Sequence, residues 1–354
     1  MKLLLSTLAL AVSLAASLHT PAAAQSDILL RLRSGSPLGD RFRVDSASGF
    51  VAKGVLGIGI IPFTGAGERM MWHPYKAAFR AGSIGSAGTQ WDDPNVGFYT
   101  WAGGYNTIAL GLSSFAMGYQ STALGSYSNA LGYTANADGT GAVAIGYRTT
   151  ADADYSVAIG QRASTNGRAG AIVFSDGSTT DSTQASANNQ FTVRAAGGTR
   201  LFTNATMTTG VQLSAGGSSW SVISDRNRKE AFLSIDGEDV LTRIRSLPVT
   251  TWRYIDEEDR TVRHIGPMAQ DWHRAFGFTS DGTTINMSDF DGVNLAAIQA
   301  LETRTAGQAA RIEALEAEND ALRARVGERD RAVESLEARV ARLEALMADA
   351  AARP

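Results

Sequence analysis

The segment Ser224-Asp225-Arg226-Asn227-Arg228-Lys229 sets a serine hydroxyl five residues before a lysine, in a chain that has nearly dispensed with lysine. The 354 residues include 28 arginines but only four lysines (Lys2, Lys53, Lys76 and Lys229), so Lys229 stands alone between residue 77 and the C-terminus. An arginine keeps its proton in a protein. Burial can push a lysine ammonium towards neutrality, where it acts as a base. A serine hydroxyl is inert as a nucleophile until a neighbour removes its proton, so the hexapeptide holds the parts of a serine nucleophile with a lysine base. Arg226 and Arg228 would further disfavour a second positive charge on Lys229. On its own the hexapeptide also fits a plain surface charge near an unrelated serine, which is the commoner case. Its setting in the chain decides between the two.

The elements that must position this pair are built from an unusual composition. There are 37 glycines and 8 prolines, and the glycines crowd into the first two-thirds of the chain, which predicts repetitive β-structure there. A net charge of -3 offers no electrostatic case for nucleic acid or another polyanion. With no cysteine, zinc-thiolate, thiol-protease and disulfide chemistry are excluded, and stability must come from packing or self-association. No cofactor or metal is expected, since neither a nucleotide loop nor a metal-ligand cluster is present.

Residues 1–24 have the pattern of a secretory leader, with Lys2 at the start, a Leu- and Ala-rich run from Leu3 to Leu18, and Ala22-Ala23-Ala24 as a small-residue cleavage site. The run is too short, and too broken by Ser6, Thr7, Ser13 and Ser17, for a membrane anchor. Export to the surface or exterior of a bacterium is expected. No transmembrane helix is expected in the mature chain.

Between Asn106 and Ala163 a small residue, an aliphatic residue and a glycine recur. The copies are Ala109-Leu110-Gly111, Ala116-Met117-Gly118, Ala123-Leu124-Gly125, Ala130-Leu131-Gly132, Ala144-Ile145-Gly146 and Ala158-Ile159-Gly160. Steps of seven and fourteen predict short strands with an inward aliphatic residue, stacked so that each coil covers its neighbour. This stretch resembles the head repeats of trimeric autotransporter adhesins, which implies a β-roll contributed by each of three chains. The C-terminus departs from that family, because it lacks the alternating strands of an outer-membrane barrel anchor.

Residues 25–104 are expected to form an N-terminal β region, with strands such as Ile28–Arg33 and Val55–Ile61. Its aromatic residues Trp72, His73, Tyr75, Trp91, Phe98, Tyr99 and Trp101 are expected to form a core in preference to a binding surface. The head repeats occupy 105–175. Residues 176–223, with strand patterns such as Gln190–Arg194, are expected to be a β stalk.

From Ile298 the composition turns to Ala, Glu, Arg and Leu on a heptad: Ile298, Thr305, Ile312, Asn319, Val326, Val333, Val340 and Met347 at a; Leu301, Gln308, Leu315, Leu322, Arg329, Leu336, Leu343 and Ala350 at d. Such a repeat predicts a left-handed coiled coil over 298–354, roughly 75 Å long at the rise of an α-helix. The g-to-e steps Arg311 to Glu316, Glu318 to Arg323, Arg325 to Asp330 and Arg339 to Glu344 all pair opposite charges, which favours a parallel, in-register assembly of identical chains. Branched residues at a, Leu at d and Asn319 lean towards two strands. The head resemblance implies three, and three is expected because a coil must match the symmetry of the body it joins.

Downstream of Lys229 come a leucine-bearing helix at Val240–Leu247, a strand Thr251-Trp252-Arg253-Tyr254, a turn at 256–260, and Val262-Arg263-His264-Ile265-Gly266 followed by Met268-Ala269-Gln270-Asp271-Trp272, which opens another helix. In this order the motifs resemble the C-terminal intramolecular chaperone of phage endosialidases, tailspikes and tail fibres, a family of auto-processing serine peptidases. The resemblance implies a trimer that templates the β-structured body before it and then cuts itself off. It places the scissile bond at Ile223-Ser224, with Ser224 as nucleophile and Lys229 as base. Asp225 is expected to cap the next turn or to orient Lys229, and His264 to be structural or to lie near the scissile carbonyl. Asp271 stands where the family commonly has Glu.

The fold expected is thus a mostly β fibrous trimer, with β-roll head and β stalk, followed by a small α+β chaperone domain at 224–297 and the parallel coiled coil. The function expected is an exported fibre or adhesin-like homotrimer released by autoproteolysis at Ile223-Ser224. The alternative is an uncleaved structural or adhesive surface fibre with an inactive C-terminal module. A host-surface or glycan ligand goes with either role, and no residue discloses it.

Overall fold

The structure is a computed structural model that describes residues 28–34, 39–46, 49–278 and 281–351. The expected leader lies outside the described residues. The chain divides after Ser221 into two compact units.

The first unit opens with an antiparallel meander of Ile28–Ser34, Gly39–Asp45 and Gly49–Ala52. The stretch Val55–Ile61 forms no strand, because Gly57 and Gly59 turn the chain at positive φ. A hairpin of Gly67–His73 and Ala78–Ile84 follows. Its second strand pairs in parallel with Trp101–Tyr105, so that the hairpin opens a nine-stranded sheet that ends at Phe191–Arg194. A second sheet of six two-residue strands runs from Ile108–Ala109 to Thr183–Gln184. Each coil of this solenoid supplies one strand to each sheet, so the seven-residue repeat is half of a 14-residue turn. The parallel sheet runs on both sides of 105–175, taking in Ala78–Ile84 and reaching Arg194.

Registers are strict. Ala116, Ala130, Ala144 and Ala158 are stacked partners, as are Ala109, Ala123 and Ala137 on the other sheet, and all are 0 % exposed. Here the inward aliphatic residue expected from the repeat is corrected. In a strand successive side chains take opposite faces, so placing alanine inside turns Met117, Leu131, Ile145 and Ile159 outwards. The interior is filled by alanine methyls together with small buried hydroxyl residues such as Ser121, Ser128 and Thr149, which lets the two sheets approach closely. The glycine column permits the same closeness along the stack: Gly132 has φ +132°, and a Cβ there would sit 2.0 Å from the carbonyl oxygen of Gly146.

Beside the outward aliphatic row, Tyr105, Tyr119, Tyr133 and Tyr147 stack at centroid spacings of 4.9 to 5.0 Å. The outer face of the larger sheet is therefore apolar and half open.

Arginines close both ends. Arg80 is fully buried and donates to the carbonyls of Phe79, Thr100 and Ala109 and to Thr100 Oγ1, and burial lowers its pKa to about 10. At the far end Arg194 donates to Asp176 Oδ1 at 2.9 Å and to Ser175 Oγ. The aromatic cluster divides instead of forming one core. Trp91 and His73 are buried, whereas Tyr75, Phe98, Tyr99 and Trp101 are exposed. A meander of Gly198–Phe202 and Gly210–Ser214 follows the solenoid.

The second unit has three helices, α1 (Gly237–Ser246), α2 (Ala269–Phe276) and α3 (Met287–Ala351), and a hairpin of Thr250–Trp252 with His264–Gly266. Asp236 caps α1 by accepting from the backbone of Glu238 and Asp239. The core gathers Val240, Leu241, Trp272, Val293, Ala296 and Ala297. It sits where the three helices meet. Glu238 and Arg304 form an ion pair between α1 and α3. Because α3 is continuous from Met287, the expected border at 297/298 falls inside one helix, and no break separates the packed part from the heptads. Among the described residues no helix is long and apolar enough to cross a membrane.

Candidate functional site

Four local features fold the segment after Val222 back on itself. Asp225 stands in extended backbone and accepts from the backbone of Asn227 at 2.9 Å, capping a one-turn 3-10 helix at Arg226–Arg228. Its carboxylate also takes Asn227 Nδ2 at 3.1 Å and pairs with Arg228 Nε at 3.5 Å. The turn closes as Lys229 N donates to the carbonyl of Arg226. The lysine side chain then returns along the outside of the turn, and Nζ lies 2.7 Å from Ser224 Oγ, donating to it.

Ser224 and Lys229 are thus brought into direct contact, and Asp225 supports the turn without touching Lys229. The two arginines are engaged elsewhere, Arg228 with Asp225 and Arg226 over the Phe232 ring at 4.5 Å. Both Ser224 and Lys229 are exposed in the single chain.

His264 is engaged within the hairpin and its turn. Its Nε2 is 3.2 Å from Glu257 Oε1, and its ring packs on Trp252 at 4.7 Å and Tyr254 at 5.5 Å. Glu257 was not singled out in the sequence. Facing of Trp252 and His264 across the hairpin is the signal that brings the turn acid towards the imidazole. Asp271 pairs with Arg274 at 2.8 Å within α2. Among the described residues no three His, Asp or Glu side chains gather as a metal site.

Chemically, the arrangement sets the hydroxyl of the residue that follows the Ile223 carbonyl beside an amine. Residues 224–280 match the family described as chaperone of endosialidase, and the match begins at Ser224. Four overlapping segments, 102–128, 109–135, 127–149 and 137–163, match the head domain repeat of YadA. No curated protein and no solved structure matches the chain. Adhesin-type head repeats thus precede a chaperone-type segment in one polypeptide.

Proposed function

We propose, from the likeness of residues 224–280 to the endosialidase chaperones, that residues 224–354 template a trimeric fibre and then release it by cutting Ile223-Ser224. The observation that carries this reading is the 2.7 Å contact between Lys229 Nζ and Ser224 Oγ. A neutral Lys229 takes the hydroxyl proton while Oγ adds to the carbonyl carbon of Ile223. The carbon–nitrogen bond to Ser224 then breaks, the proton passes to the departing amine, and Ile223 is left as an ester on Oγ. Water hydrolyses that ester to an Ile223 carboxylate and a free Ser224 hydroxyl. The nucleophile and the carbonyl belong to adjacent residues, so the reaction needs correct geometry and little else.

Self-association supports the same reading. The outward row of Met117, Leu131, Ile145 and Ile159 and the α3 positions Ile312, Leu315, Leu322 and Val326 present apolar faces that one chain leaves open. Large open apolar faces mark contact surfaces, and the opposite charges at g and e of α3 suit parallel copies. Three copies fit the adhesin-type head, and the assembled fibre is taken as exported to the bacterial surface or beyond.

The test is a denaturing gel of the purified chain. Two fragments, the smaller starting Ser-Asp-Arg-Asn, support release, and a single band for Ser224→Ala assigns the nucleophile. A wild-type trimer that stays in one piece would instead establish the uncleaved fibre.

A further inference from the structure

The stretch between the site and α1 leaves apolar side chains in water. Residues 229–236 form neither helix nor strand. Leu233 is 93 % exposed and Ile235 56 %, and alternate residues of an extended chain share one face, so the two offer a bare apolar edge. Phe232, on the opposite side, is already held by Arg226. The same unit contains an empty apolar groove of about 370 Å³, lined by Ile244, Leu247, Val249, Ile265, Trp272 and Phe290. Its rim is as bare as the segment: Ile265 is 75 % exposed and Val249 59 %. A two-stranded hairpin on its own is marginal in water, so Thr250–Trp252 with His264–Gly266 calls for a further layer.

We infer that the groove receives Leu233 and Ile235 of a second copy of this chain, so that each Ser224–Lys229 pair is held in place from a neighbour. The inference rests on the self-association proposed above. Three observations commit it to a second copy. First, a single chain leaves Leu233 in water even though its own groove stands open, so the intrachain option is not taken. Second, the g and e charges of α3 hold copies parallel and in register. Third, the root of the segment is tied to α3 at a known level, because Gly237 packs on Ala300 and Glu238 pairs with Arg304. The groove includes Phe290 and Asn294 of α3, so its near edge is roughly 10 Å along the helix from that root. Helices in contact lie about 10 Å apart, which with the offset along the axis puts a neighbour's groove about 14 Å from the root, and four extended residues span about 14 Å. Leu233 is four residues from Gly237.

Docking would act on the chemistry through the backbone. With Leu233 fixed, the chain from Lys229 to Asp236 is held at both ends, and the apolar partner excludes water from the side of the turn that carries Lys229. Cleavage is thereby conditional on a neighbour.

The absence of native cysteine makes a clean test possible. In a Ser224→Ala background, which keeps the chain whole, a tagged Leu233→Cys chain is co-assembled with a differently tagged Ile265→Cys chain and oxidised. The inference expects a covalent dimer carrying both tags, well above the level of either cysteine linking to itself. A double variant that closes only within one chain, or a mixed assembly with no cross-link, overturns it. Light scattering on the same sample separates the causes. Three chains without a cross-link defeats the docking alone, whereas one chain per particle removes the proposed assembly and the docking with it.

Discussion

Lys229 Nζ and Ser224 Oγ are 2.7 Å apart across a turn that Asp225 caps. The contact is made by local structure alone, through one 3-10 turn, and does not depend on either residue being buried. The geometry is supplied by the six residues from Ser224 to Lys229, and both of these end residues are exposed in the single chain.

Removing either partner should stop the reaction. Ser224→Ala is expected to abolish cleavage, and Lys229→Arg to slow it by roughly 10²- to 10⁴-fold, since the charge is kept but the base is lost. Time courses of fragment release on denaturing gels give both rates. A Lys229→Arg chain that cleaves at the wild-type rate would falsify the assignment of the base.

Asp225 supports the turn and does not touch Lys229, so its loss should be graded. Asp225→Ala removes a cap of the kind that contributes about 1 kcal/mol, and cleavage should slow by up to about tenfold. Asp225→Asn, which still accepts from the Asn227 backbone, should retain most of the rate. If Asn is as damaging as Ala, the carboxylate has a role beyond capping.

The heptad face of α3 should decide the number of chains. Leu315→Asp together with Leu322→Asp puts charge into an apolar seam, and the mass in solution should fall from three chains towards one. Cleavage should fall with it. Retention of the trimer mass would place self-association wholly in the solenoid.

Within the solenoid, Gly132→Ala should be costly although it adds one methyl group. Its φ of +132° is a strained setting for an L side chain, worth about 1–3 kcal/mol, and the new methyl would also meet the Gly146 carbonyl. Thermal unfolding should shift down, whereas Ser126→Ala in a nearby turn should change little.

Acid should loosen the last coil. Asp176 is held well below the ordinary carboxylate range, first by the backbone N–H of Ala196, then by the Ser178 hydroxyl and Arg194. A depressed native pKa stabilises the fold above the unfolded-state value, and the gain is lost as pH falls towards the native one. Amide exchange at 175–196 should therefore rise below about pH 4, the ordinary carboxylate value. In Asp176→Asn it should be high already at neutral pH. Protection that does not change with pH would dismiss Asp176 as the anchor.

Much of this molecule is legible along the chain. The Ala-aliphatic-Gly spacing announces a stacked solenoid, the heptads announce a long helix, and Val240–Leu247 and Met268–Trp272 announce α1 and α2, because such elements follow from periodicity and local caps. Ser224 and Lys229 could be named from residue type and spacing. What periodicity could not tell was which residue of the repeat faces inwards. Both alanine and its aliphatic neighbour are apolar, and only the closeness of the two sheets selects the smaller side chain, sending Met117 and Ile145 outside. Nor did spacing show that Glu257 meets His264, that Arg80 plugs the first coil, or that α3 begins at Met287, since each depends on residues brought together from separate elements. The chain by itself determined its local turns. Tertiary packing decided which apolar surfaces were left open, because burial is a property of the packed layers and not of the string.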